Sequence, residues 1–169
     1  MEAILEISRP LKIKKNSELQ PVGHSCKTIY FLVKGVARVY YFKEDIDITE
    51  GFSFENSIVV RYESLFTGRP SRKAIQALED SDLIAISSPE LFKLYDLHPD
   101  IERLFRKLFE RALVEQINRT ESLQFHTAEE RYRDLVKEAP GILKRVPLKF
   151  IASYLGITPV SLSRIRAHR

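Results

Sequence analysis

The sequence predicts an α+β chain: an N-terminal antiparallel β-barrel, one long helix, and a helix-turn-helix at the C-terminal end. Three observations carry this expectation. Residues 12–87 hold short β-branched or aromatic runs separated by turn residues. Residues 101–117 repeat apolar side chains at spacings of three and four. Residues 147–166 follow the grammar of two helices joined by a tight turn.

The strand-like runs are 29–33, 36–42, 46–48, 58–60, 74–78 and 83–86, with Pro21-Val22-Gly23, Lys34-Gly35, Lys43-Glu44-Asp45, Gly68-Arg69-Pro70 and Glu79-Asp80-Ser81 between them. Strands this short with turns at such intervals suit a closed antiparallel barrel or sandwich. No segment among them is long and periodic enough for a crossover helix, so a parallel sheet is not expected.

The pattern changes at Ser88-Pro89-Glu90, where a serine cap, Ser88, precedes a proline suited to the first helical position. His98-Pro99-Asp100 then opens a longer segment with Ile101, Leu104, Phe105, Leu108, Phe109, Ala112, Leu113 and Ile117 on one broad face. A helix of roughly 25 residues spans nearly 40 Å, more than one small barrel can cover. One side is expected to pack on the barrel and the other on a second copy, giving a two-fold homodimer. Thr127-Ala128-Glu129-Glu130 has the form of a capping box and starts a helix through about Glu138.

The most informative stretch follows. Pro147 can open a helix whose buried stripe is Leu148, Ile151, Ala152 and Leu155, and Gly156 can take the left-handed conformation that ends it. Ile157 fills the turn. Thr158 then caps a second helix, about 159–169, with Pro159 at its first position. Leu162 and Ile165 point back at the first helix, leaving Val160, Ser163 and Arg164 on the outer face. Helix N-terminal amides and hydroxyls suit phosphate, and arginine suits the major-groove edge of guanine.

Composition narrows the function. The 169 residues include one cysteine, Cys26, which excludes an internal disulfide and an all-cysteine metal site. Only His24 lies in the barrel half, with His98, His126 and His168 far from it and from one another, so a histidine-based metal centre and enzyme activity are not expected. The longest apolar run, 29–33, is too short to span a bilayer, and residues 1–11 lack the pattern of a signal peptide. A cytoplasmic protein without membrane partners is expected. Residues 142–169 carry six basic residues (Lys144, Arg145, Lys149, Arg164, Arg166 and Arg169) and no acidic one. The whole chain totals +4, so its remainder is net acidic. A basic end on an acidic body suggests a polyanionic partner there.

Taken in order, several segments resemble the Crp/Fnr family of bacterial transcription regulators, particularly its short members. They are Gly23 and Gly35 framing Thr28-Ile-Tyr-Phe-Leu-Val-Lys-Gly; Tyr62-Glu-Ser-Leu-Phe-Thr-Gly-Arg-Pro-Ser; Ile75-Gln-Ala-Leu-Glu-Asp-Ser-Asp-Leu; the long helix; and the helix-turn-helix. The resemblance implies a jelly-roll effector barrel of the cyclic-nucleotide-binding kind over 1–98, a dimerisation helix over 99–126, and a DNA-binding helix-turn-helix over 127–169. It implies a two-fold operator in double-stranded DNA, RNA polymerase as a further partner, and no cofactor. By position, the family's base-reading places fall at Pro159, Val160 and Arg164, and its phosphate contacts at Thr158, Ser161 and Ser163.

Two departures shape the expectation. Cyclic-nucleotide-binding relatives hold the ribose and phosphate with a glycine–glutamate pair and a later arginine; those places read Arg61-Tyr62 and Ser71, with Glu63 and Arg72 one residue off. In a strand a one-residue offset turns a side chain to the opposite face, so Arg72 is expected to point away from the pocket unless a bulge restores it. Tight cyclic AMP binding is therefore not expected, although Arg61, Arg69 and Arg72 leave room for another small anionic effector. Tyr62, Glu63, Ser71 and Arg72 are the effector-pocket candidates. The chain also stops on the recognition helix, which leads to the expectation of a natural wingless form with fewer phosphate contacts. The rival reading is an effector- or protein-binding barrel whose helix-turn-helix is degenerate and binds no specific DNA.

Overall fold

The structure is a computed structural model and describes residues 2–167. After a short helix α1 (Glu2–Glu6) come eight strands: β1 (Ser8–Ile13), β2 (Glu18–Gln20), β3 (Thr28–Lys34), β4 (Ala37–Lys43), β5 (Ile46–Ser53), β6 (Ser57–Val59), β7 (Ala74–Ala77) and β8 (Ser81–Ser87). A helix α2 (Tyr62–Thr67) interrupts them between β6 and β7. Every pairing is antiparallel, in two four-stranded sheets ordered β1-β8-β3-β6 and β2-β7-β4-β5. This is the expected jelly-roll. Tyr30, Leu32, Ala37, Val59, Ile75 and Leu83 fill its interior. Gly35 (φ 119°) passes so close to Ser81 that a Cβ there would collide with its side chain.

The barrel differs from expectation in three places. β1 and β2 are additional edge strands that lack a β-branched or aromatic run: β1 carries exposed polar residues and Pro10, and β2 is three residues long. Residues 62–67, between the expected strand runs 58–60 and 74–78, form α2; Leu65 is buried beneath it and Gly68 ends it at φ 70°. Ser87, not Ser88, occupies the N-cap of α3 (Ser88–Tyr95), with no side-chain cap bond. The Ser88 amide instead donates to Lys27 O, tying α3 to the barrel.

The helical half continues with α4 (Pro99–Phe125), α5 (Ala128–Glu138), α6 (Ile142–Arg145), α7 (Leu148–Leu155) and α8 (Pro159–Ala167). Helix α4 is 27 residues long and seats Ile101 and Phe105 against the barrel, while Leu113, Val114, Ile117, Leu123 and Phe125 remain exposed. The capping box forms as expected: Thr127 Oγ1 accepts from Glu130 N, and Glu130 accepts from Thr127 N at 2.8 Å. The helical core includes Tyr132, Leu135, Ile142, Ile151, Leu155 and Leu162 and also takes in Val36 and Leu78 of the barrel, so the two halves share one apolar cluster. No helix among the described residues is long and apolar enough to cross a membrane.

Candidate nucleic-acid interface

Local chemistry explains the α7–α8 pair. Helix α7 starts after Pro147 and ends at Gly156, whose φ of 68° is cheap only for glycine. The turn closes with Ile157 N donating to Ala152 O at 3.0 Å, so the last carbonyls of α7 are partly satisfied from within. Two arginines satisfy others: Arg119 of α4 donates to Tyr154 O and Arg131 of α5 to Leu155 O at 3.0 Å. Cations at a helix C-terminus also complement its negative dipole end. Arg119 lies 3.8 Å above the Tyr154 ring, and burial lowers its pKa.

Thr158 Oγ1 accepts from Ser161 N at 3.1 Å and caps α8. Ile151, Ala152, Leu155 and Leu162 are at most 1% exposed, and Ile165 packs against the same cluster. Leu148 departs from the expected buried stripe and stands at the surface. Thr158, Pro159, Val160, Ser163 and Arg164 are exposed together and Ser161 is half-buried. A cleft of about 420 Å³ lined by Thr127, Ala128, Glu129, Ser161, Arg164 and Ile165 separates this face from the start of α5. The expected final positions of the recognition helix, His168 and Arg169, lie outside the described residues.

One expected member of the basic end is committed elsewhere. Arg145 reaches the barrel, where Nη1 donates to Glu55 at 3.0 Å and Nε to Glu79 at 3.3 Å. The hydrogen bond from Arg145 holds the Glu55 carboxyl down to about 2, and the two carboxylates in turn raise the arginine's pKa. Sequence reasoning saw only a positive charge because the partners are 90 and 66 positions away.

The four effector-pocket candidates sit in different local settings. Tyr62 and Glu63 ride on α2, where Tyr62 packs edge-to-face on Phe109 with its hydroxyl pushed up to about 12 by burial, and Glu63 is exposed. Ser71 is buried, and its hydroxyl donates to Lys73 O at 2.8 Å. Arg72 lies in an exposed bend rather than a strand, so the alternation argument applied to it does not hold. Arg61, expected on a basic rim, is paired with Glu50 at 3.1 Å, and Lys73 is bound to the same carboxylate. Glu50 is the extra residue of a bulge in β5, opposite Val39 and Tyr40, and such a bulge re-aims a side chain. Among the described residues no three metal-ligating side chains gather.

Comparison with family models finds no match, and neither does comparison with curated proteins. Solved structures do match. FixK2 from Bradyrhizobium japonicum superposes with a TM-score of 0.83 at 19% identity, over 96% of this chain and 84% of that one. CLP, a c-di-GMP-responsive global regulator from Xanthomonas campestris, gives 0.74 at 17%, over 99% and 88%. A mutant form of CooA from Carboxydothermus hydrogenoformans gives 0.74 at 19%, over 98% and 77%. At these identities the likeness establishes the fold: barrel, long helix and terminal helix pair in one arrangement.

Proposed function

We propose that the protein is a sequence-specific DNA-binding transcription regulator of the Crp/Fnr type, with α8 in the major groove. One observation carries the reading. Buried Leu162 and half-buried Ile165 turn Thr158, Pro159, Val160, Ser163 and Arg164 outward together, on the end of the chain rich in basic residues. Arg164 supplies hydrogen bonds to a base edge. Pro159 and Val160 supply only apolar contact, which suits a thymine methyl. Thr158, Ser161 and Ser163 lie where phosphates would pass.

A second copy packed along α4 completes the arrangement, because Leu113, Val114 and Ile117 form an uncovered apolar strip on a helix already seated on the barrel. Two α8 helices then read a two-fold site. The barrel is not a tight cyclic-nucleotide receptor. Arg61 and Lys73 both bind the Glu50 carboxylate, and the arginine nearest the family's phosphate place, Arg72, faces solvent.

The test is selection from a pool of random duplexes by the full-length chain. Enrichment of a two-fold-symmetric sequence supports the reading. Retention that depends on salt but enriches no sequence contradicts it, and no retention favours a barrel module that binds no DNA.

A further inference from the structure

We infer that Ser153 is a positioning residue: it latches α7 to the free edge of the barrel, and this latch sets the direction of α8. The inference rests on the DNA-binding reading above. Strand β5 is the outer strand of its sheet, paired only with β4. In an antiparallel edge strand, alternate residues turn their N–H and C=O groups away from the neighbour and leave them unpaired. Asp47 and Thr49 are two such residues. The Ser153 hydroxyl accepts from Thr49 N at 2.9 Å and donates to Asp47 O at 3.2 Å. One side chain of α7 thus stands in for a further strand.

The neighbours of Ser153 on the same face of α7 strengthen the contact. Phe150, one turn before, lies 3.6 Å beneath the guanidinium of Arg38. Arg38 is 3% exposed and held by the Asp47 carboxylate at 2.6 and 2.7 Å and by Gln76 at 2.9 Å. Asp47 therefore meets Ser153 through its main chain and Phe150 through Arg38. Tyr154 packs its ring 5.2 Å from that of Phe52 on β5. Phe150, Ser153 and Tyr154 are spaced three and four apart, so they share one face of the helix. Ile151, Ala152 and Leu155, on a separate stripe, enter the cluster that holds Leu162 of α8. Helix α7 is gripped on both stripes, and α8 inherits its direction from the barrel while its outer face stays uncovered.

The experiment uses hydrogen exchange on the full-length parent, Ser153→Ala and Ser153→Thr, with no small molecule added, followed by binding of each to the selected duplex and to a random-sequence duplex. The Thr49 amide in the parent and in Ser153→Thr is expected to be protected like an interior sheet amide. Ser153→Ala is expected to speed its exchange about tenfold, the scale of one lost buried hydrogen bond, and to leave the β3–β8 ladder unchanged. Binding of Ser153→Ala to the selected duplex should weaken about three- to tenfold, with random-duplex binding unchanged. Thr49 exchanging as fast in the parent as in Ser153→Ala overturns the latch. Lost protection with unaltered specific binding overturns its role in setting α8. If the parent selects no DNA sequence, the DNA-binding reading fails, and the exchange measurements alone still decide the latch.

Discussion

Replacing Arg145 by alanine removes the cation shared by Glu55 and Glu79, a charged tie between the barrel and the helical half. The Glu55 carboxyl sits at about 2 against an ordinary 4.5, chiefly through its hydrogen bond from Arg145. At about 1.4 kcal/mol per tenfold, that depression amounts to roughly 3 kcal/mol. The three side chains are 30–32% exposed, and solvent screening reduces the figure to about 1.5–2 kcal/mol. An acid whose native pKa is lowered stabilises the fold above its unfolded value, and that stabilisation is lost as pH falls through the native value. Arg145→Ala should therefore be less stable than the parent by about 1.5–2 kcal/mol at pH 7, and the gap should close as pH falls from about 5 toward about 2. Urea unfolding of both proteins at pH 7, 5 and 3 measures it. No gap at pH 7, or the same gap at pH 7 and pH 3, would refute the reasoning.

Three other outcomes are expected. Leu162→Ala empties a site that is 1% exposed between α7 and α8, and should cost about 2–4 kcal/mol by chemical denaturation. The double substitution Leu113→Glu and Ile117→Glu places charge on the exposed strip of α4, and sedimentation should show a dimer in the parent and a monomer in the variant. Calorimetry with cyclic AMP should give no binding in the micromolar range, because Glu50 already occupies Arg61 and Lys73.

What could be read from the sequence was local. The turn at Gly156, the caps at Thr127 and Thr158 and the apolar period of α4 are settled by neighbours within a few residues, and the structure contains each of them. Strands β3 to β8 showed themselves by β-branched, aromatic or alanine-rich apolar runs, whereas β1 and β2 are short edges with polar patterns. Helix α2 stayed hidden because six residues before a glycine give too short a periodic signal. The ties between the two halves were invisible. Ser153 meets Thr49 across 104 positions and Arg145 meets Glu55 across 90, and nothing nearby in the chain marks Arg145 as paired or Ser153 as more than a helix surface residue. The argument about the effector-pocket candidates missed for a related reason: alternation needs a strand, and the chain supplies a helix and a bend.

The central claim is that α8 presents Arg164 to a base edge. Its most direct test is anisotropy titration of the parent and Arg164→Ala against the selected duplex and each of its single-base variants. The account predicts a loss of about 1–3 kcal/mol for Arg164→Ala on the selected site, together with lost discrimination at one base pair of each half-site. An Arg164→Ala protein that ranks every duplex as the parent does would contradict it.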